Sequence, residues 1–374
     1  MAVPVQVKTI MRWMEAWAPA AMAEPDDKIG LQIGSPDAPV TTVAVALDVT
    51  EAVVEEAAAR GAELIVAHHP VIFRPLAAVR TDRPDGRLVA KLLTTGISVY
   101  AAHTNLDVAP GGVNDMLADA LGLAETAPLK TTYVETLYKL VMYVPKERLD
   151  AVRDAAFAAG AGRIGRYGRC GFVSDGEGTF LPDEGTNPYV GEPGREERVA
   201  EARFETIVPA SRRDAVVRAA IAAHPYEEPA YDVFRLEPPI GRAYGLGRVG
   251  RLHAPMALRD FAEHAKRALG VPALRFVGDP AKPVRRIAVL GGSGRSYVKH
   301  AIASGADAFV TGDLDHHTAH DALAAGLALV DPGHHIEQIM KAGVAARLNR
   351  VAAEEGAAVT AYASSVPTEP FSFL

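Results

Sequence analysis

Residues 40–73 read VTTVAVALDVTEAVVEEAAARGAELIVAHHPVIF. A β-branched run, VTTVAVALDV, gives way to an Ala- and Glu-rich stretch of helical period, EAVVEEAAARG, and then to a second apolar run, AELIVA. Short apolar runs on either side of a helix are the pattern of a βαβ unit, with parallel strands covered on both faces. A helix through LVAKLLTTG and a further strand leading into HTNLDV extend the pattern towards residue 108. The last third of the chain repeats it: RRIAVLGGSG, a helix through YVKHAIASG, ADAFVTGD, a helix through HTAHDALAAG, LALVDPG and a long final helix. The fold class is therefore α/β. Residues 1–128 and 241–374 form two similar halves of one domain around a mostly parallel sheet.

Residues 129–240 have a different texture. KLVMYVPKERLDAVRDAAFAAGAG and ARFETIVPASRRDAVVRAAIAAHPYEEPAYDVFRLE each read as strand, Pro-containing turn and helix, and the second adds a closing strand. Two such halves predict an inserted ferredoxin-like α+β domain. FLPDEGTNPYVGEPGREE (180–197), dense in Gly, Pro and acid, reads as an exposed loop between them.

Composition limits the functions on offer. The 374 residues suggest two or three domains, and 49% hydrophobic with 23% charged residues is ordinary for a soluble globular protein. A net charge of −7 gives no footing for nucleic acid or an anionic membrane, both of which call for clustered basic surface. The single cysteine, Cys170, rules out an internal disulfide framework and fits a reducing compartment. It also leaves any metal to imidazole and carboxylate. Lys8, Arg12 and Glu15 interrupt the stretch before APAAMA (18–23), so no secretory signal is read there. Val7, Ile10, Met11, Met14 and Trp17 share one face of an amphipathic first helix, as expected for a cytoplasmic protein. There is no run of about 18 apolar residues to span a membrane.

Three strand ends carry chemistry. His68 and His69 close one strand and are followed by Pro70, which stops regular pairing. Where the backbone bends, two adjacent imidazoles can reach two different ions. HTNLDV supplies His103 and Asp107, a carboxylate able to bridge two cations about 3.5–4 Å apart. DPGHHIEQIM puts His334 and Glu337 three residues apart on the first turn of the last helix, on one face. Each element alone also has a plain structural reading: a satisfied histidine pair, an Asp turn or cap, a surface hydrogen-bonded pair. Their coincidence at strand ends, where open α/β sheets place ligands, favours a site for two divalent ions of the Zn, Mn, Fe, Ni or Co type. His103 is the candidate proton carrier or a further ligand. His316, His317, His320 and His335 read as partners at the rim. GGSGRS (291–296) lacks the P-loop lysine and reads as a tight turn, and Cys170 as a buried structural residue.

The segments IGLQIG (29–34), VALDVT (45–50), ELIVAHHPVIF (63–73), HTNLD (103–107), TGD (311–313) and DPGHHIEQIM (331–340) closely resemble the GTP cyclohydrolase 1 type 2 homologue family, also described as dinuclear-metal-centre hexameric proteins. The resemblance implies His68, His69, Asp107, His334 and Glu337 as the metal ligands. It also implies a toroidal homohexamer, and an insert similar to CutA or PII proteins as in the longer members. PDDK (25–28) departs from the family's aromatic and Asn before GLQ. Two functions follow as expectations. One is a metal-dependent hydrolase of a nucleotide-like or heterocyclic small molecule. The other is a non-enzymatic hexamer for metal storage, delivery or sensing, regulated through the insert.

Overall fold

The computed structural model describes residues 5–237 and 241–374. The chain divides into two compact units, Met1–Tyr133 with Tyr244–Leu374, and Val134–Ala243. Among the described residues the first unit holds two main sheets. One runs in the order Thr360–Ala363, Thr42–Ala46, Leu64–Ala67, Ser98–Ala101, Gly30–Ile33, parallel except for its last strand. The other runs Arg275–Val277, Ala328–Asp331, Ala308–Gly312, Pro283–Ser293, Ala243–Ala257, Ala124–Val134. Its strands from Ala328–Asp331 to Pro283–Ser293 are parallel, flanked by antiparallel Arg275–Val277 and Ala243–Ala257. The expected single sheet is thus two. The C-terminal half pairs Pro283–Ser293 with the long antiparallel strand Ala243–Ala257, and so completes a ladder of its own.

Alternation explains why the central strands read as unbroken apolar runs. Val43, Val45, Leu64 and Val66 face one core, while Ala44, Ala46, Ile65 and Ala67 face another. The helix Val7–Trp17 buries Val7, Ile10, Trp13, Met14 and Trp17. Trp13 forms one edge of that face, beyond Trp17, and Met11 lies past the opposite edge, only partly buried. Local signals set the other boundaries. Thr50 Oγ1 accepts from Val53 N at 3.3 Å to cap Glu51–Ala59, and Pro84–Thr95 begins on proline and ends at Gly96 with φ +70°.

The second unit carries an antiparallel sheet in the order Tyr231–Arg235, Leu137–Pro145, Glu197–Pro209, Gly171–Phe180. The helices Leu149–Ala158 and Arg213–Ala223 pack on it through Val152, Ala156, Val216 and Ala220 against Leu140, Met142, Phe204 and Val208. Cys170 is partly exposed rather than buried, because it lies in the turn region just before Gly171–Phe180. Among the described residues no helix is long and apolar enough to cross a membrane.

Candidate metal centre

The two sheets of the first unit bring their strand ends to one place. His68 and His69 prolong Leu64–Ala67, and their backbone N–H groups still donate to Ala46 O and Leu47 O. His103 follows Ser98–Ala101 and precedes the short helix Thr104–Val108, which carries Asp107. From the second sheet, Ala328–Asp331 leads into a 3₁₀ turn, His334–Gln338, rather than directly into the α-helix Ile339–Glu355. In a 3₁₀ turn residues i and i+3 eclipse. The three-residue spacing therefore stacks His334 over Glu337. The expectation of strand ends in one sheet is corrected: the site draws on both.

Each histidine has its Nδ1 pinned. His69 Nδ1 lies 2.7 Å from Asp48 Oδ1, His103 Nδ1 2.8 Å from Asp27 Oδ1, His334 Nδ1 2.8 Å from Asp313 Oδ2 and His68 Nδ1 2.8 Å from Ala102 O. Carboxylate and carbonyl oxygens only accept, so every Nδ1 carries a proton and donates. Nε2 is then the atom each ring turns inwards, the arrangement in which outer carboxylates orient metal-binding imidazoles. Asp313 adopts φ +58°, a left-handed conformation that aspartate tolerates better than most residues.

At the centre lies Glu337, with 4% of its surface exposed. Its Oε2 stands 3.1 Å from His69 Nε2 and 3.2 Å from His334 Nε2, while Oε1 stands 3.7 Å from His68 Nε2. Asp107 Oδ1 is also 3.7 Å from His68 Nε2. One carboxylate thus faces two donor groups, His68 with Asp107 and His69 with His334. The two-sided position, expected for Asp107, belongs to Glu337. His68 Nε2 and Asp107 Oδ1 are buried without a hydrogen-bond partner. Leaving such atoms unmade costs roughly 1–3 kcal/mol each. Two ligands on one tetrahedral ion at about 2.1 Å lie roughly 3.4 Å apart, close to the spacing found. Nitrogen and carboxylate donors without thiolate suit a borderline divalent metal, so the residues fit one.

The electrostatics agree. Burial opposes charge on His69, but hydrogen bonds to Asp48 and Glu337 outweigh it and lift the pKa to about 10. The hydrogen bond to Glu337 lifts His334 to about 9. Burial pushes Asp107 up to about 6, while the three imidazoles hold Glu337 well below the usual carboxylate range despite its burial. The cluster demands positive charge.

Other candidates fall elsewhere. His316 meets His317 and His320 edge-on, with the His316 and His320 centroids 4.6 Å apart, and the three belong to none of the convergent groups among the described residues. His335 reaches the centre only through Thr368, which bonds both His335 Nε2 and Asp48 Oδ2. Sequence reasoning missed Asp27, Asp48 and Asp313. The signal was present, since Asp48 and Asp313 sit in VALDVT and TGD, and Asp27 in the departing PDDK. It also missed Gly292 (φ +64°), where a Cβ would lie 2.6 Å from Glu337 Oε1. Of the run read as a tight turn, Gly291–Ser293 ends the strand Pro283–Ser293 and Arg295 begins a 3₁₀ turn; the bareness of the two glycines makes room for Glu337. A cleft of about 740 Å³ opens beside His69 and His334 and is lined also by Asp48, Arg275, Asp313 and Phe371.

An α/β unit with this cluster at its strand ends is a protein equipped to hold metal on histidine and carboxylate. A family model described as Duf34/NIF3 (NGG1p interacting factor 3) matches residues 5–370, and the chain belongs to that family. It is 49% identical over 367 residues to a GTP cyclohydrolase 1 type 2 homolog of Halalkalibacterium halodurans, covering 98% of each chain. It is likewise 49% identical over 374 residues to one of Bacillus subtilis, over the whole of both. A Bacillus cereus protein related to NIF3 superposes with a TM-score of 0.93 at 48% identity over 99% of each chain.

Proposed function

We propose that the protein binds two divalent metal ions at this centre and uses them to hydrolyse a nucleotide-like or heterocyclic small molecule. The observation that carries the reading is Glu337, whose two oxygens face separate donor groups. His68 and Asp107 would hold one ion, His69 and His334 the other, with Glu337 shared. Bound there, such ions lower the pKa of a coordinated water towards neutrality and offset charge on a developing oxyanion. The chain's own residues supply the rest. Asp27 fixes His103 Nδ1–H, so Nε2 is free to take and return a proton within the His68–His69–His103 group. The cleft beside His69 and His334 falls in the range of about 300–1,000 Å³ typical of small-molecule sites. That the relatives are called GTP cyclohydrolase 1 type 2 homologs supports a nucleotide-like substrate.

The order of strands and helices in Val134–Ala243 supports a ferredoxin-like reading of that unit. The motif resemblance supports a homohexamer, which sedimentation velocity tests. For activity, metal-loaded protein is assayed against a panel of nucleotides and pterin-like heterocycles. Turnover that disappears on chelation and falls by about 10²–10⁴ in His103→Asn supports the hydrolase. A fully loaded protein that turns over nothing in the panel supports metal storage or delivery instead.

A further inference from the structure

The second unit contains a cleft of about 650 Å³ whose lining is aromatic and acidic. Phe180, Tyr189 and Tyr226 form its walls, with ring centroids 5.8 Å apart for Phe180–Tyr226 and 6.1 Å for Tyr189–Tyr226. No lysine or arginine is among its described lining residues, although the Arg148 guanidinium stands over the Tyr189 ring, 5.8 Å from the centroid. Two of its carboxylates are already used: Glu177 pairs with Arg198 at 3.1 Å, and Glu227 accepts from Asn187 N at 3.0 Å.

Glu201 is different. It is 7% exposed, lines the cleft, and makes no ion pair among the described residues. A buried carboxylate without a cation is costly unless something neutralises it. Gly178 leaves it room, since a Cβ there would lie 2.2 Å from Glu201 Oε2. The Tyr226 hydroxyl is buried beside it, turned towards the Glu201 carboxylate. Burial, and then the hydrogen bond to Glu201, push the Tyr226 phenol upwards, so it stays a neutral donor.

Ring faces attract cations, most strongly where water is excluded, and a buried carboxylate completes the recognition of an ammonium group. A divalent metal fits poorly, because among the described residues the convergent His and carboxylate groups lie around His68 and His69 in the first unit. We propose that this cleft binds a small organic ammonium ion between the Tyr189 and Tyr226 rings, with its charge on Glu201.

Isothermal titration of the full-length protein with 1,5-diaminopentane tests this, with 1-pentanol as the uncharged control. Saturable binding of the diamine and none of the alcohol is expected. Glu201→Gln, which keeps the shape and removes the charge, should weaken binding by at least about tenfold. Tyr189→Ala, at a ring 43% exposed and therefore safe for the fold, should weaken it similarly. Tyr189→Ala alone decides the matter if Glu201→Gln does not fold. Absence of saturation at millimolar diamine, equal binding of the alcohol, or unchanged affinity in Tyr189→Ala overturns the proposal.

Discussion

At the scale of single residues, the centre depends on groups that never touch an ion. Asp48 and Asp313 each fix one imidazole that faces Glu337. Asp48→Asn or Asp313→Asn should weaken metal affinity by about 10–100-fold in chelator competition, with circular dichroism unchanged. Asp27→Asn should spare metal content and lower turnover, because its partner His103 is the proposed proton carrier. Gly292→Ala sets a Cβ against Glu337 Oε1 at a backbone angle that alanine disfavours. Loss of bound metal with the circular dichroism spectrum retained is expected there; full retention of metal would mean that Glu337 is not held in place by that strand. The convergence of His68, His69, Asp107, His334 and Glu337 was legible because strand ends and residue types announce it. The aspartates behind them were not, because a lone Asp after a strand looks the same whether it caps a turn or aims a histidine.

At the scale of elements, strand–helix alternation was readable from periodicity, and the division into two sheets was not. RRIAVLGGSG signals a strand, but nothing in it says that its neighbour will be antiparallel Ala243–Ala257 rather than a parallel strand of the first half. The 3₁₀ turn at His334–Gln338 was equally hidden, since its three-residue spacing also suits an α-helix. In the second unit, His224 ends the helix Arg213–Ala223 as a neutral ring. Its Nε2–H donates to Tyr143 O at 2.9 Å, and its Nδ1 accepts from Tyr226 N at 3.1 Å. Burial lowers its pKa, so the unfolded chain takes up the proton first. Its contribution to stability is present above the unfolded value of 6.5 and is lost as pH falls below it. Melting temperature should drop between about pH 7.5 and about pH 5.5, and His224→Gln should flatten that drop. An identical slope in the variant would remove His224 from the account.

At the scale of the whole molecule, the first unit is assembled from segments far apart in sequence. Arg248, on the strand Ala243–Ala257, grips Asp115 of the helix Val113–Ala120 through two contacts, one of them Nη2 to Oδ2 at 3.0 Å. Arg248 is almost wholly buried, so removing its partner leaves an unpaired charge in the core. Asp115→Ala should cost about 3–5 kcal/mol by chemical denaturation, and Arg248→Met with Asp115→Leu should recover much of that loss. The account as a whole rests on a centre that binds two ions. Metal content per chain, measured on protein purified without a chelating tag, tests it most directly beside a His68→Ala, His334→Ala double variant. About two transition-metal ions per chain, lost in the variant, is the predicted result. Near-zero metal that reconstitution cannot restore would leave four pinned histidines around a structural carboxylate, and the hydrolase reading would fall with the ions.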